Sequence, residues 1–178
     1  MLAKMVASSG DTLWTRAYAQ SGQNSAVKDI ALSPDESTVL LAGAGGNDAL
    51  LLAASASNAG VISGSKTFGG TENDNFFSVV ADTEFVYACG TSFSPGFTLL
   101  SGSGIVLKAS LSDGSKQWAF YYSSSDPATA TTSADACRYL AFSPDQATLF
   151  FVGSLEIRNI IYGRVDTAAG AIAASASL

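Results

Sequence analysis

A glycine that returns four times, followed at a set distance by aromatic residues, constrains this chain more than any other feature. Gly10 leads to Trp14 and Tyr18, Gly60 to Phe68, and Gly114 to Trp118 and Tyr122; a fourth copy begins at Gly170. The glycines stand 50, 54 and 56 residues apart, so the period is real but elastic. Self-similarity at this period marks a repeat architecture, in which each unit buries its apolar faces only by stacking on its neighbours. The frames read as 2–48, 49–103 and 104–159 with a half repeat at 160–178, all within one domain spanning 1–178.

Ahead of each glycine lies a short apolar segment, at 2–7, 50–55, 105–110 and 160–166. Each closes in a small polar turn: Ser8-Ser9-Gly10, Ser57-Asn58-Ala59-Gly60, Ser112-Asp113-Gly114 and Thr167-Ala168-Ala169-Gly170. Such residues supply positive φ and local side-chain hydrogen bonds, which is hairpin chemistry. A second pair follows: 27–33 into Pro34-Asp35 and 39–42 into Gly43, then 77–81 into Asp82 and 85–89 into Gly90. In the third frame 139–143 runs into Pro144-Asp145 and 149–152 into Gly153. The runs before Gly43 and Gly153 are apolar at consecutive positions, which predicts burial on both faces. No segment carries a helical period with caps. Four antiparallel strands in about fifty residues match one propeller blade. The expected fold is therefore all-β, a β-propeller with three full blades plus a half blade at its C-terminal end, partial or part of a larger ring. An open β-sandwich of irregular repeats is the alternative.

Apolar residues make up 47% and charged residues only 13%, about half the usual charged share, which fits strands buried against neighbours. The net charge of −6 disfavours a grip on nucleic-acid phosphates or an anionic membrane surface. No stretch approaches the roughly 20 apolar residues of a spanning helix, so no membrane insertion is expected. Residues 1–10 do not read as a signal peptide, so a signal, if the protein is exported, lies outside this sequence. The chain has no histidine, which removes the commonest general base and metal ligand.

The second frame carries a familiar pattern. Phe68-Gly69-Gly70-Thr71-Glu72-Asn73-Asp74-Asn75, then an alternating strand over 77–82, then Val86-Tyr87-Ala88-Cys89-Gly90-Thr91, resembles the SBBP-type β-propeller repeat. The first frame replaces the Gly-Gly turn with Ala19-Gln20-Ser21-Gly22, and the third with a long Ser/Thr stretch. The Ser-Pro-Asp triplets are similar, more distantly, to those of WD-repeat propellers. The resemblance implies a propeller fold and an extracellular or cell-surface setting, and it brings no catalytic residues.

Candidate sites are few. Glu72 and Asp74 offer closely spaced oxygen ligands for calcium but lack the alternating spacing of a calcium loop, so a solvated turn is the better reading. Asp35 and Asp145 recur at equivalent positions and read as turn caps. Gly43 to Gly46 with Asn47-Asp48 lacks the lysine of a phosphate loop and reads as a tight turn between blades. Trp14 and Trp118 read as inter-blade packing ahead of sugar stacking, and Lys28, Arg138, Arg158 and Arg164 as scattered solvated charges. Cys89 and Cys137 read first as two partly buried thiols, with a single disulfide as the alternative. The low-complexity stretch offers O-glycosylation candidates at Ser123, Ser124, Ser125, Thr129, Thr131, Thr132 and Ser133, against an unmodified flexible loop. No N-glycosylation sequon occurs. No catalytic residue, cofactor or metal site is assigned.

These observations lead to a non-enzymatic structural or assembly module of an extracellular, cell-surface or filamentous protein. Its partners are copies of itself or the remainder of a longer polypeptide. The alternative is a propeller that binds a protein or glycan at its loop face.

Overall fold

The computed structural model describes residues 1–18, 24–94, 102–123, 135–155 and 159–177. Among these residues the regular structure is entirely strand. A two-stranded sheet of β1 (Leu2–Met5) and β2 (Thr12–Arg16) comes first. Three four-stranded meanders follow: β3 (Ser25–Leu32), β4 (Thr38–Gly45), β5 (Asp48–Ser55), β6 (Ile62–Phe68); β7 (Asp74–Ala81), β8 (Phe85–Ser92), β9 (Ser103–Ser110), β10 (Lys116–Tyr122); and β11 (Ala136–Phe142), β12 (Thr148–Leu155), β13 (Asn159–Asp166), β14 (Ile172–Ser177). Every paired neighbour is antiparallel.

The sheets stack face to face. Leu40, Leu51, Phe76, Val79 and Leu107 fill the space between the first two meanders. Tyr87, Val106, Leu140, Phe151 and Val165 fill the space between the second and third. Leu2, Leu41 and Leu52, with Trp14, join β1–β2 to the first meander. The middle meander is thus buried on both faces.

The strands are those the repeat predicts, but the sheets are cut in a different phase. Hydrogen bonding groups the strands from Ser25, Asp74 and Ala136 onward, two strands later than the sequence frames. The incomplete sheet is therefore β1–β2, and β13–β14 complete the third meander rather than open a fourth. Periodicity gives the repeat length; the phase is set by which connection leaves one sheet for the next, and no residue pattern marks that connection.

The four hairpin glycines behave as expected. Gly10, Gly60, Gly114 and Gly170 have φ between 66° and 77°, and the Gly10, Gly114 and Gly170 amides close their turns onto Val6, Ser110 and Asp166 carbonyls. The Ser-Pro-Asp turns are also built alike. Ser33 Oγ donates to Asp35 Oδ1, which also accepts the Ser37 amide, while Thr38 N donates to Ser33 Oγ. Ser143 and Asp145 repeat the pattern with the amides of Ala147 and Thr148.

The glycines Gly43, Gly90 and Gly153 do not end their strands, contrary to the sequence reading. Each lies within a strand, opposite a β-bulge in the preceding one: Lys28, Phe77 and Arg138 are the extra residues at the three shifts in register. A β-carbon at any of the three would overlap the carbonyl of Ala26, Asn75 or Ala136. Bulges bring one backbone too close to the other for a side chain, and glycine is the residue that fits. Likewise, Gly46 and Asn47 form the tight β4–β5 hairpin inside one sheet, not a turn between sheets.

Candidate interaction face

Register defines one face of each meander that looks toward the next. In the first it carries Asp29, Leu40, Ala42 and Leu51; in the second Ser78, Tyr87, Cys89 and Val106; in the third Tyr139, Phe150, Val152 and Tyr162. On the first two meanders this face is covered, and Tyr87 and Cys89 are fully buried. On the third it is open: Tyr139 is 69% exposed, Phe150 46%, Val152 37% and Tyr162 48%. Burial of β12 on both faces, read from 149–152, is thus corrected: Leu149 and Phe151 are buried, Phe150 and Val152 are not.

Polar contacts repeat the same step. Asp29 Oδ2 accepts the Val79 amide at 2.9 Å, and Ser78 Oγ accepts the Leu140 amide at 3.3 Å, so each inner strand ties its side chain to the backbone of the next. Tyr139 holds the third position in that series. At the other end, Ile30 and Leu32 of β3 lie beside Leu41 and Val39 in register yet are exposed, because β1–β2 covers the face over β4 and β5 but not over β3.

Cys89 and Cys137 form a disulfide between β8 and β11, with Cα atoms 5.4 Å apart and both residues fully buried. The expectation of two thiols is therefore corrected. The bridge crosses between adjacent sheets, where the face of one inner region meets the bulged strand of the next, a juxtaposition that sequence spacing does not reveal.

Glu72 and Asp74 do not come together as a calcium site. Asp74 is buried and its carboxylate accepts the Gly70 and Phe93 amides and the Ser94 hydroxyl, pinning the entry to β7, whereas Glu72 is exposed. Among the described residues no group of three acidic, cysteine or histidine side chains is arranged for a metal. Burial, with the nearby Asp74 charge, pushes the Tyr121 phenol up to about 12. The carboxyls of Asp35 and Asp145 are held below the usual aspartate range by the hydroxyl of Ser33 or Ser143 and by turn amides. Trp14 and Trp118 are packing residues: Trp14 joins the core over β4–β5, and Trp118 lies 6.1 Å from Tyr87, centroid to centroid. Arg138, read from sequence as a scattered charge, stacks on Phe77 at 4.6 Å, both at bulge positions of adjacent inner strands. Lys28 holds the equivalent bulge in β3, and Arg164 is exposed on the open face. Of the O-glycosylation candidates Ser123 is exposed; Ser124, Ser125, Thr129, Thr131, Thr132 and Ser133, like Arg158, lie outside the described residues.

The stacked meanders define a β-propeller-type architecture. Two solved structures share it: a eukaryotic initiation factor, with a TM-score of 0.57, 13% identity, and 95% of this chain matched to 35% of that one; and a periplasmic gluconolactonase of Pseudomonas aeruginosa, with a TM-score of 0.51, 15% identity, and 91% of this chain matched to 45% of that one. The chain thus spans less than half the length of either. No protein-family model matches it, and no curated protein matches. The expectation that the chain is not an enzyme is overturned as a reading of this fold, since the same architecture serves a lactonase in the second protein.

Proposed function

We propose that this chain is an assembly module whose open third meander seats a further β-sheet, supplied by another copy of the chain. The carrying observation is the equivalence of positions. Phe150 and Val152 occupy the places of Tyr87 and Cys89, which are buried where the next meander covers them. Single exposed apolar residues are ordinary, but a contiguous set of Tyr139, Phe150, Val152, Ile160 and Tyr162 on one sheet face is an interaction surface. The open face is of the kind the chain already covers twice, and the uncovered Ile30 and Leu32 belong to the opposite kind. Copies therefore join head to tail, a heterologous contact that builds rings or filaments.

The buried disulfide supports an oxidising, exported setting, since such bridges persist outside reducing compartments. The SBBP-like pattern over 68–91 supports the same extracellular or cell-surface placement. Light scattering over a concentration series tests the proposal. The wild-type mass rises above that of a monomer with concentration, while Val152→Lys stays monomeric with its melting temperature kept. A wild type that stays monomeric throughout refutes self-assembly.

A further inference from the structure

The first sheet lacks its inner half. Gly10 stands in the β1–β2 hairpin as Gly60, Gly114 and Gly170 stand in β5–β6, β9–β10 and β13–β14, so β1 and β2 hold the two outer positions of a four-stranded sheet. In each complete sheet an inner hairpin, β3–β4, β7–β8 or β11–β12, pairs with the other edge of the third strand. Among the described residues β1 pairs with β2 alone. A two-stranded sheet is marginal by itself. This one is anchored on the first meander, where Lys4 Nζ donates to the Ala56 carbonyl and Arg16 Nε to that of Ala59.

The face that an inner hairpin would cover is open as well. After the bulges, Ile30, Val79 and Leu140 hold equivalent places in β3, β7 and β11. Val79 is 2% exposed and Leu140 8%, each packed against the sheet before it; Ile30 is 54% exposed, and Leu32 on the same face is exposed too. The amides divide the same way. Asp29 and Ser78, each on the preceding inner strand, accept the amides of Val79 and Leu140, whereas the Ile30 amide bonds Asp29 Oδ1 of its own strand. We infer that the free edge of β1 and the exposed face of β3 together seat a β-hairpin supplied by a partner polypeptide. Its chemistry is read from β3–β4 and β7–β8, which hold that position in complete sheets. One strand, apolar at consecutive positions and carrying a glycine like Gly43 or Gly90, pairs with β1; the other, with Asp or Ser after its bulge, lies over Ile30. Backbone hydrogen bonds along β1 supply affinity, and the apolar surface of Ile30 and Leu32 selects the side chains. A second copy does not supply the hairpin, because its own inner hairpins are bound within complete sheets. The seat lies at the opposite end of the stack from the open third meander, so it stands apart from self-assembly through that face.

The probe is a fluorescein-labelled synthetic peptide with the sequence of residues 25–45, the β3–β4 hairpin, titrated into the Val152→Lys chain so that the third meander plays no part. Fluorescence anisotropy should saturate below millimolar peptide, and hydrogen exchange of the Leu2–Met5 amides should slow at least tenfold on binding. Ile30→Lys in the chain, at an exposed site, should keep the melting temperature and weaken binding at least tenfold. Asp29→Ala in the peptide should weaken it several-fold. The inference is overturned if binding does not saturate, if the β1 amides exchange as fast with peptide bound, or if the Ile30→Lys chain binds as well. Protection of those amides by the chain alone at high concentration would make a second copy the occupant and refute the assignment to a partner.

Discussion

Replacing Gly90 with alanine probes the bulge geometry that shapes every inner strand. A β-carbon there would lie 2.7 Å from the Asn75 carbonyl carbon and 2.8 Å from Phe76 Cα, and closer still to the Asn75 oxygen. Carbon atoms rest at about 3.5–4.0 Å, so roughly 1 Å of movement is needed, and the obstacles are backbone. Phe76 is fully buried, so the strand has no room to retreat. Overpacking of this kind costs about 1–3 kcal/mol, and flattening the bulge adds the loss of about one hydrogen bond, near 1 kcal/mol. The expected destabilisation is about 3 kcal/mol, which lowers the melting temperature by roughly 6–12 °C in a chain of this size. Gly64→Ala is the internal control: same substitution, also in a strand, but open space around the new methyl. It should be neutral or gain up to about 1 kcal/mol through reduced unfolded-state entropy. Urea unfolding followed by circular dichroism measures both. Equal midpoints for the two variants would refute the claim that the bulge dictates glycine.

Three further outcomes follow from the same contacts. Cys89→Ala with Cys137→Ala should lower stability by about 4 kcal/mol, the chain-entropy value for a closure of 48 residues, read from urea midpoints of oxidised wild type and variant. Because the folded carboxyls of Asp35 and Asp145 titrate below their unfolded values, their contribution is present above the ordinary aspartate pKa of about 3.9 and fades as pH falls through the lowered folded values. Thermal melts from pH 6 to pH 2 should therefore show a shallower acid decline for the Asp35→Asn, Asp145→Asn double variant than for wild type. Tyr18 donates its hydroxyl to the Gly60 carbonyl and packs with Trp14 over the first meander. Tyr18→Phe should thus cost about 1 kcal/mol, a lost hydrogen bond, measured by the same melts.

The turn chemistry was legible because it is local. Gly10, Gly60, Gly114 and Gly170 need positive φ, and Ser33-Pro34-Asp35 satisfies its own amides, so a few adjacent residues suffice to recognise each. The sheet phase was not, since no residue pattern marks the β2–β3 and β6–β7 connections, which leave one sheet for the next, from the β4–β5 and β8–β9 connections, which stay within one. The role of Gly43, Gly90 and Gly153 was hidden for a similar reason: a glycine after an apolar run reads as a stop, and only the bulge opposite explains it. The open face of the third meander was masked because Phe150 and Val152 have the same apolar character as the covered Tyr87 and Cys89; exposure is decided by what lies beyond them.

Tyrosine-selective nitration read by mass spectrometry tests the assembly reading most directly, because the tyrosines mark both kinds of face. Tyr87 is buried between meanders and serves as the protected reference, while Tyr139 and Tyr162 lie on the open face. In dilute solution Tyr139 and Tyr162 should react readily and Tyr87 should not. At concentrations where the mass rises, both should become protected at least several-fold while Val152→Lys stays reactive. If Tyr139 and Tyr162 react equally fast at every concentration, no sheet covers the third meander, and the account of head-to-tail assembly is wrong.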